Sequence, residues 1–223
     1  YKAAGQVANV IFTGNANASI SGSGATCRFN SITINKGTDA SSILDVSRII
    51  SIIPPTSNAS YLNINNGTFK LSSASVLSPY YGAVSGGATT ICAATGRLWI
   101  NNAAASVSCV NAGTSTVSGY PIVTGILQVT SGTFEYGSGN DRISLTSSTS
   151  SLIVDGANAV VKLYGGINNN GSGSITITDG NVIVDCQRSD VGGDNFTSAT
   201  HVVDLRGNIN FTGGKLTIVD PYA

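Results

Sequence analysis

One phrase recurs along this chain and constrains its fold more than any other feature. It is an apolar residue, any residue, a second apolar residue, then Asn, Thr or Asp, then a Gly-rich bend. Copies begin at Val10, Ile32, Leu62, Leu98, Leu127, Leu152, Ile175 and Ile209, at spacings of 22 to 36 residues. Alternation with a period of two makes each copy a strand with two residues turned to one face. Several copies bend at Gly and start a second strand at once. Ile64-Asn65-Asn66-Gly67-Thr68-Phe69-Lys70-Leu71 and Val129-Thr130-Ser131-Gly132-Thr133-Phe134-Glu135-Tyr136 are nearly the same sentence. Ile177 to Val184 and Phe211 to Ile218 repeat it.

A period in the twenties to thirties, with two or three short strands in each, is the mark of stacked repeats. One repeat cannot bury its own inward residues; stacking buries them in a continuous column. Hairpin folds would instead space their strands about 8–12 residues apart. The pattern predicts an all-β chain, a right-handed parallel β-helix solenoid of about eight or nine coils, with loop insertions at its corners. No linker divides it, so residues 1–223 read as a single domain. Insertions are expected at Pro54 to Asn58, Ser78 to Gly82, Asn168 to Gly173 and, the largest, Asp185 to His201.

The eight copies are expected to share one column. Their fourth positions, Thr13, Asn35, Asn65, Asn101, Thr130, Asp155, Thr178 and Thr212, would then form a polar corner ladder bonded to backbone or to one another. An ice-binding face of regular Thr columns is the sharper alternative. The outward neighbours Ile11, Thr33, Asn63, Trp99, Gln128, Ile153, Thr176 and Asn210 are too irregular to match a lattice.

Composition narrows the function classes. Charged residues are 10% of the chain, with 11 basic and 11 acidic side chains and a net charge of zero. Nucleic acid and anionic membrane surfaces need a clustered basic face, so neither is expected as a partner. No apolar run reaches the length needed to span a bilayer, so no membrane insertion is expected. Glu135 is the only Glu, and helix-favouring surface residues are scarce. Cys27, Cys92, Cys109 and Cys186 form no C-x-x-C pair. They read as small buried hydrophobes, with a Cys92–Cys109 disulfide as the alternative that export would permit.

The dense polar segment holds Asp185, Arg188, Asp190, Asp194, His201 and Asp204. It reads first as a solvated insertion. Asp190 and Asp194 are the candidate calcium ligands, because Asp190-Val191-Gly192-Gly193-Asp194 offers hard oxygens on a flexible turn. Otherwise no cofactor is expected. Glycoside hydrolysis would need two carboxylates facing a cleft, and lyase chemistry a basic residue beside acidic calcium ligands; the acidic phrases of polygalacturonase-like enzymes are missing. One His gives no convincing Ser-His-Asp set. Trp99 occupies an outward slot, with Tyr80 and Tyr81 in a nearby insertion. The Tyr loop either folds over Trp99, or the three rings offer a platform for a sugar face.

The opening resembles a repeat module of giant secreted surface proteins of Bacteroidota, adhesin-like and exported by type IX secretion. The resemblance lies in Asn9 to Asn15, Ser19 to Gly24, Phe29 to Asn35 and Leu62 to Phe69, and similar phrases continue to Cys186 and again from Asn208. It implies a secreted, cell-surface β-helix with structural or adhesive function. It implies as partners other segments of the parent chain, cell-surface glycans or secretion machinery. It carries no catalytic motif. The leading expectation is a non-catalytic structural or adhesive segment. A glycan-binding module comes second and a polysaccharide lyase or hydrolase third. The chain has no Met, and neither Tyr1 to Gln6 nor Leu216 to Ala223 supplies a polar cap, so it is expected to be a segment of a longer solenoid.

Overall fold

The computed structural model describes residues 8–52, 59–78, 80–81, 90–109, 122–137, 142–145, 147–169, 171–185 and 202–219. Among these residues the chain is all-β, with no helix. Eighteen strands join in one hydrogen-bonded system, and the pairings within it are parallel. One antiparallel pair, Ala59–Ser60 with Tyr80–Tyr81, stands apart.

The parallel pairings resolve into three ladders, which the chain visits in a fixed order. Ladder one starts with Ala8–Thr13 on residues 29–35 and continues through residues 62–66, Cys92, Ile122–Val123, Ile143–Ser144, Gly166–Asn168 and Val202–Asp204. Ladder two runs from Ala18–Ile20 through Ile43–Val46, residues 68–71, 97–100, 126–129 and 151–154, to Ser174–Ile177 and Asn208–Phe211. Ladder three pairs residues 27–29 with Ile50–Ile52. It resumes at Val76–Leu77 and runs through residues 106–109, 133–136 and 160–164 to Asn181–Asp185 and Lys215–Val219. The gap in ladder three is bridged by the Ile50 N–H, which donates to the buried Ser75 Oγ at 2.9 Å. Such an arrangement is consistent with a β-helix-like solenoid, and each passage through the three ladders is called a circuit below.

The expected alternation places the core. In ladder two Phe69, Leu98, Leu127 and Leu152 stack in register, as do Leu71, Ile100, Val129 and Val154; all eight are fully buried. In ladder three Val107, Phe134, Val161 and Val182 form the matching column, each at most 1% exposed. Columns from the three sides meet in one continuous core.

The expectation of a single column for the eight phrase copies is corrected. The copies at Val10, Ile32 and Leu62 lie in ladder one, whereas those from Leu98 onward lie in ladder two. The near-identical sentences containing Phe69 and Phe134 turn two different corners, since Phe69 lands in ladder two and Phe134 in ladder three. The 36-residue interval between Leu62 and Leu98 is a full circuit plus one side. All three sides bury alternate residues and end in a polar bend, so the same phrase serves at either corner.

The corner ladder therefore splits in two. At the first corner the Asn66 Nδ2 donates to Asn35 Oδ1 at 2.8 Å, and Thr95 Oγ1 donates to Asn66 Oδ1. A register shift between Ile34 and Asn35 puts Asn66, rather than Asn65, opposite Asn35. At the second corner Thr130 Oγ1 donates to Asp155 Oδ1 at 2.8 Å. Side chains bonding one another hold both corners, as the bend-ladder reading requires.

Cys27, Cys92 and Cys109 are free thiols, so no bridge joins Cys92 to Cys109. Cys92 sits in ladder one and Cys109 ends a stretch of ladder three. Both take inward slots as small hydrophobes. Cys186 lies outside the described residues.

Candidate functional site

Among the described residues, the richest cluster of polar and aromatic side chains lies on the outward face of ladder two, around Trp99. Arg97 and Trp99 are two residues apart on Thr90–Cys109, so both point away from the core, while Leu98 and Ile100 point into it with no exposure. Parallel register sets Lys70 beside Trp99 on the preceding circuit and Gln128 beside it on the following one.

Trp99 is only partly exposed. Its indole Nε1 donates to Thr130 Oγ1 at 2.9 Å, and the Thr130 hydroxyl in turn donates a hydrogen bond to Asp155. Lys70 Nζ lies 4.4 Å from the ring centroid and the Arg97 guanidinium carbon 5.1 Å from it. Each contact is within cation–π range, worth about 0.5–2 kcal/mol depending on solvent exposure. Arg97 is fixed by three further bonds. Its Nε donates to Thr68 Oγ1 at 2.9 Å, Nη1 to Gln128 Oε1 at 3.3 Å and Nη2 to the Ala40 carbonyl at 3.3 Å. Burial lowers its pKa from the ordinary Arg value, though an Arg stays cationic. Gln128 Nε2 completes the network on Asp155 Oδ2 at 2.8 Å.

This is a packed network of satisfied groups. Asp155, the carboxylate nearest the indole's hydrogen-bond chain, is engaged at both oxygens by Gln128 and Thr130. Its one hydroxyl–carboxylate pair, Thr130 with Asp155, is committed to the corner, because Thr130 also accepts from the Trp99 indole and Asp155 also accepts from Gln128. The ring is flanked by cations, so a sugar stacking on the same side as Lys70 has to displace the ammonium. Trp99 is half-exposed, and the side chains seen against its ring are Lys70 and Arg97. The Tyr80 and Tyr81 rings lie outside the described residues, which include only their backbone pairing with Ala59–Ser60.

The calcium candidates Asp190 and Asp194 lie outside the described residues, with Arg188 and His201. The two flanking acids are described. Asp185 ends the strand Asn181–Asp185. Asp204 is gripped by Arg206, with Nη2 2.6 Å from Oδ2 and Nε 3.0 Å from Oδ1. That hydrogen bonding holds the Asp204 carboxyl down to about 2. Among the described residues no three His, Cys, Asp or Glu side chains converge as a metal site. Burial pushes the Cys92 thiol up to about 12, which suits a packing residue and not a nucleophile.

Two buried polar side chains stand out, Lys36 and Asn169, the latter inside the polar turn expected at Asn168 to Gly173. Lys36 is 2% exposed, and its ammonium lies inside the corner of the preceding circuit. There it donates to the carbonyls of Ala16 at 2.7 Å, Thr13 at 3.4 Å and Gly14 at 3.5 Å. A buried cation is tolerable when its donors are used in this way. Asn169 has no exposure, and neither its amide oxygen nor its nitrogen has a partner among the described residues. Neither residue carried a local signal, because its surroundings come from other circuits. Lys70 had the same obscurity until the register brought it to Trp99.

Comparison with protein-family models, with curated proteins and with solved structures finds no match to this chain.

Proposed function

We infer that the chain is a non-catalytic structural segment, a right-handed parallel β-helix that serves as a rigid spacer or display element in a secreted or cell-surface adhesin-like protein. The observation that carries this reading is the run of inward columns through all three ladders, with outward polar groups spent on bonds between circuits. Leu98, Leu127 and Leu152 have no exposure, and Thr130, Gln128 and Asp155 bind one another across circuits. Side chains committed in this way stiffen a rod and leave few groups for chemistry. Right-handed winding follows from the twist preference of crossovers between parallel strands. Circuits stacked about 4.8 Å apart make a rod on the order of 40 Å long.

The alternatives are a glycan-binding module at Trp99 and, behind it, a polysaccharide lyase or hydrolase. Lys70 over the indole argues against the first. The same purified chain tests all three. Incubated with pectin, alginate and xylan, it is expected to release no reducing ends and no unsaturated products. On a glycan array, signal lost in Trp99→Ala would establish the binding reading. Turnover abolished by Asp190→Ala or Asp194→Ala would overturn the non-catalytic one.

A further inference from the structure

Four bonds of this chain join Asn or Asp to Gly, at Asn66, Asp155, Asn170 and Asp179. Asn170 lies outside the described residues. The other three turn corners between ladders and differ in what holds the side chain. Asn66 is tied at both ends of its amide, with Nδ2 donating to Asn35 Oδ1 and Oδ1 accepting from Thr95 Oγ1. Asp155 is held at both oxygens, by Thr130 and Gln128. Asp179 is exposed, where Asn66 and Asp155 are only partly so. Among the described residues its carboxylate has one partner, the next residue in the chain: Gly180 N–H donates to Asp179 Oδ1 at 2.8 Å.

That contact brings a nucleophile to an electrophile. The Gly180 nitrogen touches Oδ1, and Cγ is one bond further on, so little motion separates this bend from a five-membered ring. Gly180 carries no side chain to shield its nitrogen, and it holds the left-handed conformation, φ +83°, that glycine adopts freely. At Asn66 and Asp155 the same approach requires side chains bonded to neighbouring circuits to be released first.

We propose that Asp179–Gly180 is a site of spontaneous covalent modification, where the main chain passes from an aspartyl to an isoaspartyl linkage through a cyclic imide. The Gly180 nitrogen attacks Cγ of the protonated carboxyl and gives up its proton to solvent. The N–Cγ bond forms, the Cγ–OH bond breaks, and water leaves. Water then opens the ring. Attack at Cγ restores aspartate. Attack at the main-chain carbonyl carbon of Asp179 breaks its bond to the Gly180 nitrogen and leaves the chain running through Cβ and Cγ. One water is lost and one gained, so mass is unchanged and water is the only co-reactant.

The product does not suit the corner. Thr178 N–H donates to the Val154 carbonyl at 3.0 Å, and the Gly180 carbonyl accepts from Lys215 N–H at 2.8 Å. Both ends of the bend are thus pinned to neighbouring circuits, and an isoaspartyl residue puts an extra atom in the main chain between them. Isomerisation is expected to release the Lys215 amide.

Folded wild type is kept warm in mildly acidic buffer for weeks and digested, and electron-transfer fragmentation locates each isoaspartate by residue. Asp179 is expected to run roughly tenfold ahead of Asp155 and Asn66, as positioned reactants do over constrained ones. The chain unfolded in guanidinium should reverse the order and put Asn66 first, because an amide is attacked more readily than a carboxyl that is mostly ionised. Asp179→Glu keeps the charge but needs a six-membered ring, and should give no product at this bond. Amide hydrogen exchange at Lys215 should quicken in the isomerised fraction and stay slow in Asp179→Glu. A folded chain without isoaspartate at Asp179, or with Asn66 or Asp155 ahead of it as in the unfolded chain, would overturn the proposal.

Discussion

The inner circuits and the last circuit use the same inward residue types at the same places, yet they contribute unequally. Phe134 has circuits on both sides and no exposure, while Phe211 is covered on one side and 53% exposed. A column is stabilised by the neighbours above and below each residue, so identical alternation yields a core only where a circuit lies between two others. In a stack of this kind, position along the axis matters as much as residue type.

The largest effect expected is on that pair. Phe134→Ala should cost about 3–5 kcal/mol, the range for large-to-small changes in a closed core. Phe211→Ala should cost roughly 0.5–1 kcal/mol, because half of its surface already meets water. Urea denaturation of dilute, monomeric protein measures both. Equal losses would erase the distinction between inner and last circuits.

A pair of glycines sharpens it. Gly14 and Gly67 have nearly the same left-handed conformation, at φ +85° and +86°, so alanine at either meets a steric penalty of about 1–2 kcal/mol. Gly14 turns the first circuit and has open space where a Cβ would stand. At Gly67 a Cβ would lie 2.8 Å from the carbonyls of Lys36 and Ser42 on the circuit before it. Gly67→Ala should therefore lower the midpoint well beyond Gly14→Ala, by about 1–3 kcal/mol more. Matching midpoints would mean that the corners yield freely.

Asn169 is an inner position that breaks the rule of its neighbours. Leu145 and Asn169 have no exposure, and Leu205 packs on the same core. The Leu145 N–H bonds the Asn168 carbonyl and the Asn169 N–H the Asp204 carbonyl, which places 145, 169 and 205 in one column. An unpaired buried amide costs about 1–3 kcal/mol, so Asn169→Leu should raise the midpoint by on the order of 1 kcal/mol. Leucine is bulkier across the branch, and a lowered midpoint would show that the corner at Gly173 and Gly207 has no room for it.

The smallest effect belongs to the last circuit. Arg206 holds the Asp204 carboxyl at about 2, below the ordinary Asp value near 3.9. Stability from this pair is present above the unfolded value, about pH 4, and is lost as pH falls towards 2. Arg206 is 72% exposed, so solvent and salt screen the pair and keep the effect small. Wild type should lose slightly more thermal stability than Asp204→Asn between pH 4 and pH 2. Parallel curves for the two would show that the pair contributes nothing.

Much of the architecture was legible in single residues. The strand copies at Leu98, Leu127 and Leu152 announced their inward pairs, and those pairs are buried. The Thr130–Asp155 contact was legible as a corner bond between successive repeats. The side of the circuit was not legible, because Phe69 and Phe134 follow the same words round different corners. Of the candidate site, the outward placement of Trp99 was readable from its alternation with Leu98 and Ile100. The outward slot of Arg97 follows from the same alternation, but the companion Lys70 was not readable, since it is brought there by register with another circuit.

The chain's alternating apolar pairs and Gly-rich bends fix short strands and the faces they bury, because side-chain direction in a strand is a local property with a period of two. The sorting of strands into three ladders, the buried ammonium of Lys36, the buried amide of Asn169 and the Lys70 cation over Trp99 were decided only in three dimensions. Each depends on which residues of one circuit lie beside those of the next, some 20 to 30 positions away along the chain. That register is set by loop length and corner packing summed over a whole circuit, and no local pattern encodes the sum.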